Sequence, residues 1–185
     1  MHGTEAPSPW VQRWSHLIAP NSPVLDLACG AGRHMQWLAG LGHPMLGVDR
    51  SSEALAAASA WGRTLQADIE NGPWPLAGQH FGAVVVTNYL WRPLWPQILQ
   101  TVQEGGVLIY ETFALGQETV GRPARPEFLL SPGELLQVAA QGGLRVVAYE
   151  DGFVPAPERF VQRLVAVREQ AGAGPRRWPL TATPR

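Results

Sequence analysis

The sequence lacks several features that would place it in large classes of protein. It has one cysteine in 185 residues, Cys29, so no disulfide can form within the chain. No apolar run approaches the length of about 18 residues that crossing a bilayer requires. No amino-terminal stretch joins a basic segment to a long apolar one, as a secretory signal does. We therefore expect a cytoplasmic protein with no membrane span.

An excess of charge is also lacking. The 14 Lys and Arg residues against 15 Asp and Glu residues give a formal net charge of -1. A protein that holds a long polyanion usually carries positive charge over much of its surface. We therefore expect no nucleic-acid partner. No pair of histidines, cysteines or carboxylates has metal-ligand spacing, so the sequence predicts no metal site.

The composition indicates one domain. A hydrophobic content of 45% is enough for one buried core at this length. Residues 1–8 are small and polar, and residues 169–185 combine glycine, proline and arginine without periodicity, so we expect flexible ends there. The domain is then 9–168. It opens with an amphipathic helix over 9–19, for which Ser8 is the candidate cap and Pro9 the first helical residue.

Between the ends, strand and helix patterns alternate. Seven apolar runs predict buried strands at 24–28, 45–48, 64–67, 83–87, 107–110, 144–149 and 160–167. Helical periodicity predicts helices at 33–41, 51–61, 93–103 and 131–141. This alternation favours an α/β fold, a mostly parallel sheet with helices on both faces. The connection before the last strand holds Pro155 and Pro157 and no helical period, so strand seven is expected to be antiparallel.

Acidic and amide side chains stand where the predicted strands end. Strand one runs into a turn with Gly30 and Gly32, and Asp49, Asp68 and Asn88 follow strands two, three and four. Ligands of open α/β sheets bind beyond these carboxyl ends. Asp49 follows Gly30 at the separation of about 20 residues that is expected when an acidic side chain accepts hydrogen bonds from a ribose.

The first turn differs from one that binds a pyrophosphate. Such a turn has the pattern G-x-G-x-x-G, whereas Met35 stands here at the third glycine position. Asp26, inside strand one, would repel a pyrophosphate but could help to hold an ammonium or a sulfonium. The aspartate and the glycines together favour a nucleoside ligand that has positive charge and no phosphates.

The stretch VLDLACGAG at 24–32 resembles the first motif of the class I S-adenosylmethionine-dependent methyltransferases. The resemblance covers roughly residues 20 to 168 and implies a Rossmann-like, doubly wound sheet of seven strands with the last one reversed. It also implies that Asp49 binds the ribose hydroxyls and Asp68 the adenine amino group, with Ile69 on the ring. The cofactor residues that it implies are Asp26, Ala28, Gly30, Gly32, Asp49, Arg50, Asp68, Ile69 and Asn88.

Three other segments resemble the small bacterial methyltransferases described as tellurite-resistance-like. These segments are 88–93, 110–113 and 125–130. This narrower resemblance leaves the acceptor and the oligomeric state open.

Aromatic and basic residues follow strands four and five and are candidates for acceptor binding. Trp91 would flank the acceptor pocket. Arg92, Arg122 and Arg125 lie in the predicted loops, and an arginine fork is the usual partner of an oxyanion or carboxylate. We therefore predict a small, anionic acceptor.

Methyl transfer from a sulfonium requires in-line alignment of acceptor, methyl group and leaving sulfur. An oxygen or nitrogen acceptor would also need a base, for which His34, Tyr89 and Glu111 are the candidates. A thiol or an oxyanion that is already ionised needs little such help, and no strong base stands out in the sequence.

Ordinary structural roles compete with these assignments. The aspartates could cap turns, Cys29 and Trp91 could be packing residues, and the arginines could be solvated surface charges. Three other functions stay open: methylation of RNA or protein, a nicotinamide-dependent oxidoreductase, and a cofactor-binding module without catalysis.

The ribose assignment can be tested with Asp49→Ala. The substitution is expected to weaken cofactor binding at least tenfold, or about 1.4 kcal/mol, because one charged set of hydrogen bonds is lost. Calorimetry with S-adenosylmethionine measures the effect, and an unchanged affinity would refute the assignment.

Overall fold

The computed structural model describes residues 6–172, 174 and 176–182. Its strands are β1 (Val24–Leu27), β2 (Met45–Asp49), β3 (Arg63–Gln66), β4 (Phe81–Thr87), β5 (Val102–Phe113), β6 (Arg145–Pro155) and β7 (Glu158–Val167). Its α-helices are α1 (Pro9–Trp14), α2 (Arg33–Gly40), α3 (Ser52–Ala58), α4 (Trp95–Thr101) and α5 (Glu134–Gln141). Within the described residues, no helix is long and apolar enough to span a membrane.

The strands form one seven-stranded sheet in the order β3-β2-β1-β4-β5-β7-β6. β1 to β5 pair in parallel, whereas β7 is antiparallel to both β5 and β6. The predicted doubly wound, mixed sheet with a reversed seventh strand is therefore confirmed. The strand order reverses between β1 and β4, which is the point where ligands of such sheets bind.

Hydrophobic cores lie on both faces of the sheet. Leu25 and Leu27 of β1 join the core under α4 and α5, and we call this side the α4 face. Val24 of the same strand packs with side chains of α1, α2 and α3 on the opposite side, which we call the α2 face. Since successive strand side chains point to opposite sides, each central strand contributes to both cores.

The last two strands are longer than predicted. The sequence 151–158 is predicted to be a loop, but most of it pairs within a β6–β7 hairpin that continues to Pro155 and Glu158. The rings of Phe153 and Phe160, which are opposite each other in this hairpin, lie 5.0 Å apart. Cross-strand pairing of this kind offsets the weak strand signal of the segment.

Two predicted helix boundaries also shift. The predicted helix 131–141 begins only at Glu134, because Gly133 adopts a left-handed conformation (φ 74°) as its N-cap. Half of the expected capping box remains, since the Ser131 N–H donates to Glu134 Oε2 at 2.8 Å. The predicted helix 93–103 ends at Thr101, because Val102 already pairs with Phe81 as the start of β5.

The described residues of both chain ends contact the domain. Ser8 is buried and caps α1 as predicted, its side chain accepting the Trp10 N–H. Near the other end, Trp178 packs on the α2-face core and the Pro179 carbonyl lies 2.9 Å from His16 Nε2. Of the predicted flexible ends, residues 1–5, 173, 175 and 183–185 lie outside the described residues. The domain bounds 9–168 stay a prediction.

The two glycines of the first turn should differ in their effect on stability. A β-carbon at Gly32 (φ 83°) would lie 2.9 Å from Ala58 Cβ and 3.0 Å from Ala58 Cα, whereas one at Gly30 (φ 53°) would meet no atom within 4 Å. Gly30→Ala should therefore lower the free energy of unfolding by about 1 kcal/mol, for the left-handed backbone alone. Gly32→Ala should lower it by about 2–4 kcal/mol, because overpacking against α3 is added. Urea unfolding measures both, and equal losses would contradict the predicted packing.

Candidate functional site

Two residues in strained conformations mark the crevice where the strand order reverses. Ala28 follows β1 with φ 55° and Asn88 follows β4 with φ 53°, and β1 and β4 are neighbours in the sheet. Left-handed backbone is unfavourable for residues other than glycine, and such residues concentrate at functional sites. The strain therefore points to the space between these two strand ends.

The turn after β1 is held by Asp49 at the end of β2. The Gly30 N–H donates to Asp49 Oδ2 at 2.9 Å, and the Ser51 N–H donates to Asp49 Oδ1, also at 2.9 Å. An ionised carboxylate has about four acceptor positions, so about two remain for a ligand. Asp49 therefore fixes the turn and can still bind a pair of hydroxyl groups.

Asp68 holds the turn after β3 in a similar way. Its Oδ1 accepts the N–H groups of Glu70 at 3.0 Å and Asn71 at 3.1 Å, and its Oδ2 accepts the Asn71 side-chain amide at 3.0 Å. These hydrogen bonds, chiefly those from Asn71, lower the pKa of Asp68. The group stays ionised and keeps one acceptor position on Oδ2, the exposed side of the turn.

Two cavities meet at Ala28. The Asp49 cavity, of about 480 Å³, lies over the ends of β2 and β3 and is lined by Ala28, Asp49, Arg50, Asp68, Ile69 and Tyr89, among others. The Thr87 cavity, of about 600 Å³, lies over β1 and β4 and is lined by Ala28, Gly30, Arg33, His34, Thr87 and Asn88, among others.

The cavities bring together most of the predicted cofactor residues. Two of them line neither cavity: Gly32 packs against Ala58 of α3, and Asp26 is buried within β1. Cys29 is buried, and burial followed by the charges of Asp26 and Asp49 raises the pKa of its thiol. A neutral, buried thiol agrees with the packing role expected for it.

Asp26 is buried within β1, next to His34, which lines the Thr87 cavity. Its Oδ2 atom has no hydrogen-bond partner and lies 3.9 Å from His34 Nδ1. Burial raises the pKa of Asp26 to about 7, against the lowering effect of Arg33. A buried carboxylate oxygen without a partner is costly, so this atom fits a site that receives a positive group from a ligand.

His34 is buried at the start of α2 and is engaged through both ring nitrogens. Its Nε2 accepts the Ser8 N–H at 3.2 Å, and its Nδ1 lies 3.4 Å from Thr87 Oγ1. Burial, with the Arg33 charge, lowers the pKa of His34 to about 3, so the ring is neutral near pH 7. Neither nitrogen has a lone pair open to the cavity.

Glu111 is also buried and engaged, at the β5 position opposite Thr87. Its Oε1 accepts the Ser8 hydroxyl at 2.9 Å, and its Oε2 lies 2.5 Å from Arg163 Nε. Arg159 Nη1 approaches the same carboxylate at 3.8 Å. Two positive side chains and the Ser8 hydroxyl therefore contact the Glu111 carboxylate, which has a structural role here.

Tyr89 and Trp91 follow β4 and are half-buried against the α4-face core. Tyr89 lines the Asp49 cavity, and burial, followed by the nearby Glu70 carboxylate, raises the pKa of its hydroxyl. The structure therefore places a neutral phenol beside the predicted adenosine-binding residues. Trp91 follows Tyr89 by two residues, and its contact with an acceptor stays a prediction.

The Arg92 guanidinium is hydrogen-bonded to other residues of the protein. It donates to Glu134 Oε1 at 2.6 Å and Oε2 at 2.9 Å, and to the carbonyls of Glu127 at 2.8 Å and Leu129 at 2.9 Å. Four of the five donors that a guanidinium offers are thus occupied. Arg92 fixes the loop before α5 instead of reaching toward an acceptor.

The other two predicted anion-binding arginines are exposed. Arg125 pairs with Glu127 and lies over the Phe128 ring at 5.3 Å. Arg122 is exposed in the loop after β5, where its carbonyl accepts the Gln117 side-chain amide at 3.2 Å. The structure does not bring the three arginines into one cluster, so their common role stays a prediction.

Three residues at the site were not predicted to be there. Arg33 and Thr87 line the Thr87 cavity, and Ser8 bonds both His34 and Glu111. Arg33 directly follows the glycine turn, which is a local signal that could have identified it. No local signal connects Ser8 to His34 or Glu111, because these partners are 26 and 103 residues away in the sequence.

The residues 24–105, which include β1 to β4 and both cavities, match the family model of a methyltransferase domain. The match and the sheet order both agree with the class I methyltransferases, enzymes whose cofactor is S-adenosylmethionine. This confirms the resemblance of the first motif. No curated protein sequence matches the chain.

Solved structures show the same fold at low sequence identity. TehB from Haemophilus influenzae is 19% identical with a TM-score of 0.69, and the match covers 90% of this chain and 63% of that one. A TehB-like S-adenosylmethionine-dependent methyltransferase from Corynebacterium glutamicum is 19% identical with a TM-score of 0.64, over 86% and 87% of the two chains. The glycopeptide N-methyltransferase MtfA, complexed with S-adenosylhomocysteine, is 17% identical with a TM-score of 0.60, over 83% and 86%.

The residues at the crevice fit this cofactor. Asp26 has a buried oxygen without a partner, Asp49 has acceptor positions left for hydroxyl groups, and a β-carbon at Gly30 would point into open space. A negative group beneath the turn suits a ligand with positive charge, and an open glycine allows close approach to the backbone.

The pKa shifts of Asp26 and His34 affect stability in opposite directions. Between the usual pKa of 3.8 and the raised pKa of about 7, Asp26 keeps its proton in the native state but has lost it in the unfolded chain. This group therefore lowers the free energy of unfolding as the pH rises through that range. For His34 the unfolded chain keeps the extra proton, from about pH 3 to the usual pKa of 6.5, so this group raises the free energy of unfolding as the pH rises.

Asp26→Asn should reveal the His34 contribution. Over roughly pH 5 to 6.5 the two groups nearly cancel in the unaltered protein, whereas the free energy of unfolding of the variant should rise by up to about 1.4 kcal/mol per pH unit. Urea unfolding across this range, without cofactor, measures both proteins. Identical pH profiles would contradict the prediction that Asp26 is protonated in the native state over this range.

Proposed function

We propose that this enzyme transfers a methyl group from S-adenosylmethionine to a small, anionic acceptor by in-line displacement. When bound, the cofactor supplies a methyl group on a positively charged sulfur. The observation that carries the acceptor proposal is that all three candidate bases are unsuited to taking a proton. His34 and Glu111 are buried and engaged, and the raised pKa of Tyr89 keeps its hydroxyl neutral. An acceptor that is already ionised needs no such base.

The Asp49 cavity would hold the adenosine part of the cofactor. The free acceptor positions of Asp49 suit the ribose hydroxyls, and the remaining position of Asp68 suits the adenine amino group. Ile69 is buried beside them and offers an apolar surface for the adenine ring. Arg50 lies at the same cavity and completes its polar wall.

The Thr87 cavity would hold the amino-acid part. Asp26 supplies the negative charge for an ammonium group, and Arg33 at the start of α2 supplies positive charge for a carboxylate. Asn88 and the Gly30 backbone line the space between the two cavities. Two groups of opposite charge near one cavity would fix the direction in which the cofactor binds.

The acceptor would enter over the loops that follow β4 and β5. Trp91 contributes a half-buried apolar surface there, and Arg122 is the predicted arginine that has no carboxylate contact within hydrogen-bond distance among the described residues. An apolar wall excludes water, while a guanidinium attracts and orients an oxyanion. Alignment of the acceptor, not proton removal, is the proposed contribution of these residues.

Methylation of RNA or protein is the second candidate. A net charge of -1 gives a polyanion no general attraction. MtfA, which shares the fold, is a glycopeptide N-methyltransferase, so acceptors larger than a simple anion occur on this scaffold. An amine acceptor would nevertheless need a base, and the three candidates above are engaged or neutral.

A screen with radiolabelled methyl donor tests the acceptor class. Small thiols, oxyanions and carboxylates should accept label, whereas tRNA and protein should not. Activity on tRNA alone, lost steeply as salt is added, would overturn the small-acceptor proposal.

Arg122→Ala tests anion recognition once an acceptor is known. The KM for an anionic acceptor should rise about tenfold, equivalent to about 1.4 kcal/mol for one charge-assisted hydrogen bond, with cofactor affinity unchanged. Arg145→Ala is the matched control, because Arg145 is exposed at the start of β6 and pairs with Glu169 at 2.9 Å. An Arg122 variant that behaves like the control would remove Arg122 from the acceptor site.

A further inference from the structure

The amino-terminal segment, residues 6–14, contacts the wall of the Thr87 cavity through Ser8, which is hydrogen-bonded to His34. Only 4% of Ser8 is exposed. Its N–H donates to His34 Nε2 at 3.2 Å, its hydroxyl donates to Glu111 Oε1 at 2.9 Å, and the same hydroxyl accepts the Trp10 N–H at 3.1 Å. One residue thus connects the start of α2, the end of β5 and the cap of α1.

A second attachment lies farther along the same face of the sheet. Thr87, Glu111, Arg163 and Glu150 stand opposite one another on β4, β5, β7 and β6, so they form a polar row across four strands. Ser8 bonds Glu111 in the middle of this row, and Arg13 of α1 lies 3.2 Å from Glu150 at its far end. The amino-terminal segment is therefore held above the row at two points.

The Ser8 N–H determines which nitrogen of His34 carries the proton. A backbone N–H can only donate, so Nε2 must be the acceptor. A neutral imidazole has one acceptor and one donor, so the proton is on Nδ1. Protonation of both nitrogens would place two donors against each other at Nε2, which agrees with the lowered pKa of His34.

The proton on Nδ1 points toward the cofactor side of the ring. Thr87 Oγ1, at 3.4 Å, is then an acceptor, and Asp26 Oδ2, at 3.9 Å, is the other negative group in reach. Asp26 Oδ2 is the oxygen without a hydrogen-bond partner. A donor at this nitrogen stabilises the ionised form of Asp26, whereas a lone pair there would destabilise it.

We propose that Ser8 is a positioning residue of the cofactor site. Its backbone N–H holds His34 as the Nδ1–H tautomer, and that tautomer supports the charged carboxylate of Asp26 on which the cofactor ammonium binds. Docking of the amino-terminal segment and binding of the cofactor are therefore coupled, and each strengthens the other by the same factor. The inference rests on the proposed role of Asp26.

Ser8→Pro and Ser8→Ala form a matched pair that isolates the N–H group. Ser8 has φ -52° and ψ 131°, which proline adopts without strain, even before Pro9. Both variants lose the hydroxyl, its bond to Glu111 and the cap of α1, but only the proline variant loses the N–H that His34 accepts. Any difference between the two variants is then due to that hydrogen bond.

The first readout is the tautomer of His34, taken from ¹⁵N NMR shifts of the ring without cofactor. The unaltered protein and Ser8→Ala should show the Nδ1–H form, and Ser8→Pro should show a shift toward the Nε2–H form. The second readout is the affinity for S-adenosylhomocysteine by calorimetry, which should be about tenfold weaker in Ser8→Pro than in Ser8→Ala. Circular dichroism verifies that both variants are folded.

A double-mutant cycle shows whether the effect passes through His34. His34→Asn keeps an N–H donor near the Nδ1 position but removes the acceptor for Ser8. In that background the proline and alanine variants should bind S-adenosylhomocysteine equally, and a persisting difference would overturn the inference.

Two further outcomes separate the inference from the proposed function. If Ser8→Pro keeps the Nδ1–H tautomer, or binds S-adenosylhomocysteine as tightly as Ser8→Ala, Ser8 is not a positioning residue, although the enzyme remains a methyltransferase. If the unaltered protein does not bind S-adenosylhomocysteine at all, the proposed function fails, while the tautomer signal still tests the Ser8 contact by itself.

Discussion

The site depends on one constraint of chain topology, the reversal of strand order between β1 and β4. The chain leaves β1 toward β2 and β3, then returns to β4 on the other side. Because such crossovers are right-handed, the connecting helices go to opposite faces of the sheet, and none covers the gap above Ala28 and Asn88. The left-handed backbone at both positions turns the chain away from this gap, and the two cavities open there.

The three aspartates around the gap differ in their surroundings, and the difference suits them to the different roles proposed for them. Asp49 and Asp68 accept hydrogen bonds from backbone N–H groups and neither is buried, which suits the recognition of neutral hydroxyl and amino groups. Asp26 is buried without enough partners, so its charge is favourable only beside a positive group. Its free energy depends on the neighbours of His34, and through them on the amino-terminal segment.

Local sequence signals were sufficient for the sheet and for most of the residues that line the crevice. β1, β4 and the acidic residues at the strand ends were predicted because buried strands and glycine turns leave continuous patterns. The role of Arg92 was not predictable, because its partner Glu134 is 42 residues away, and the same holds for Ser8 and His34. The β6–β7 hairpin was predicted too short, since its outer part is stabilised by cross-strand pairing and not by its own composition.

The two borders of the sheet have a consequence for the behaviour of the protein at high concentration. β3, at one border, has four residues, and β6, at the other, carries the charged side chains of Arg145, Glu150 and Asp151. A border strand with unpaired backbone groups is a template on which a second chain can add a strand, unless it is short or charged. Both borders meet one of these conditions, so edge-to-edge aggregation into larger sheets is disfavoured.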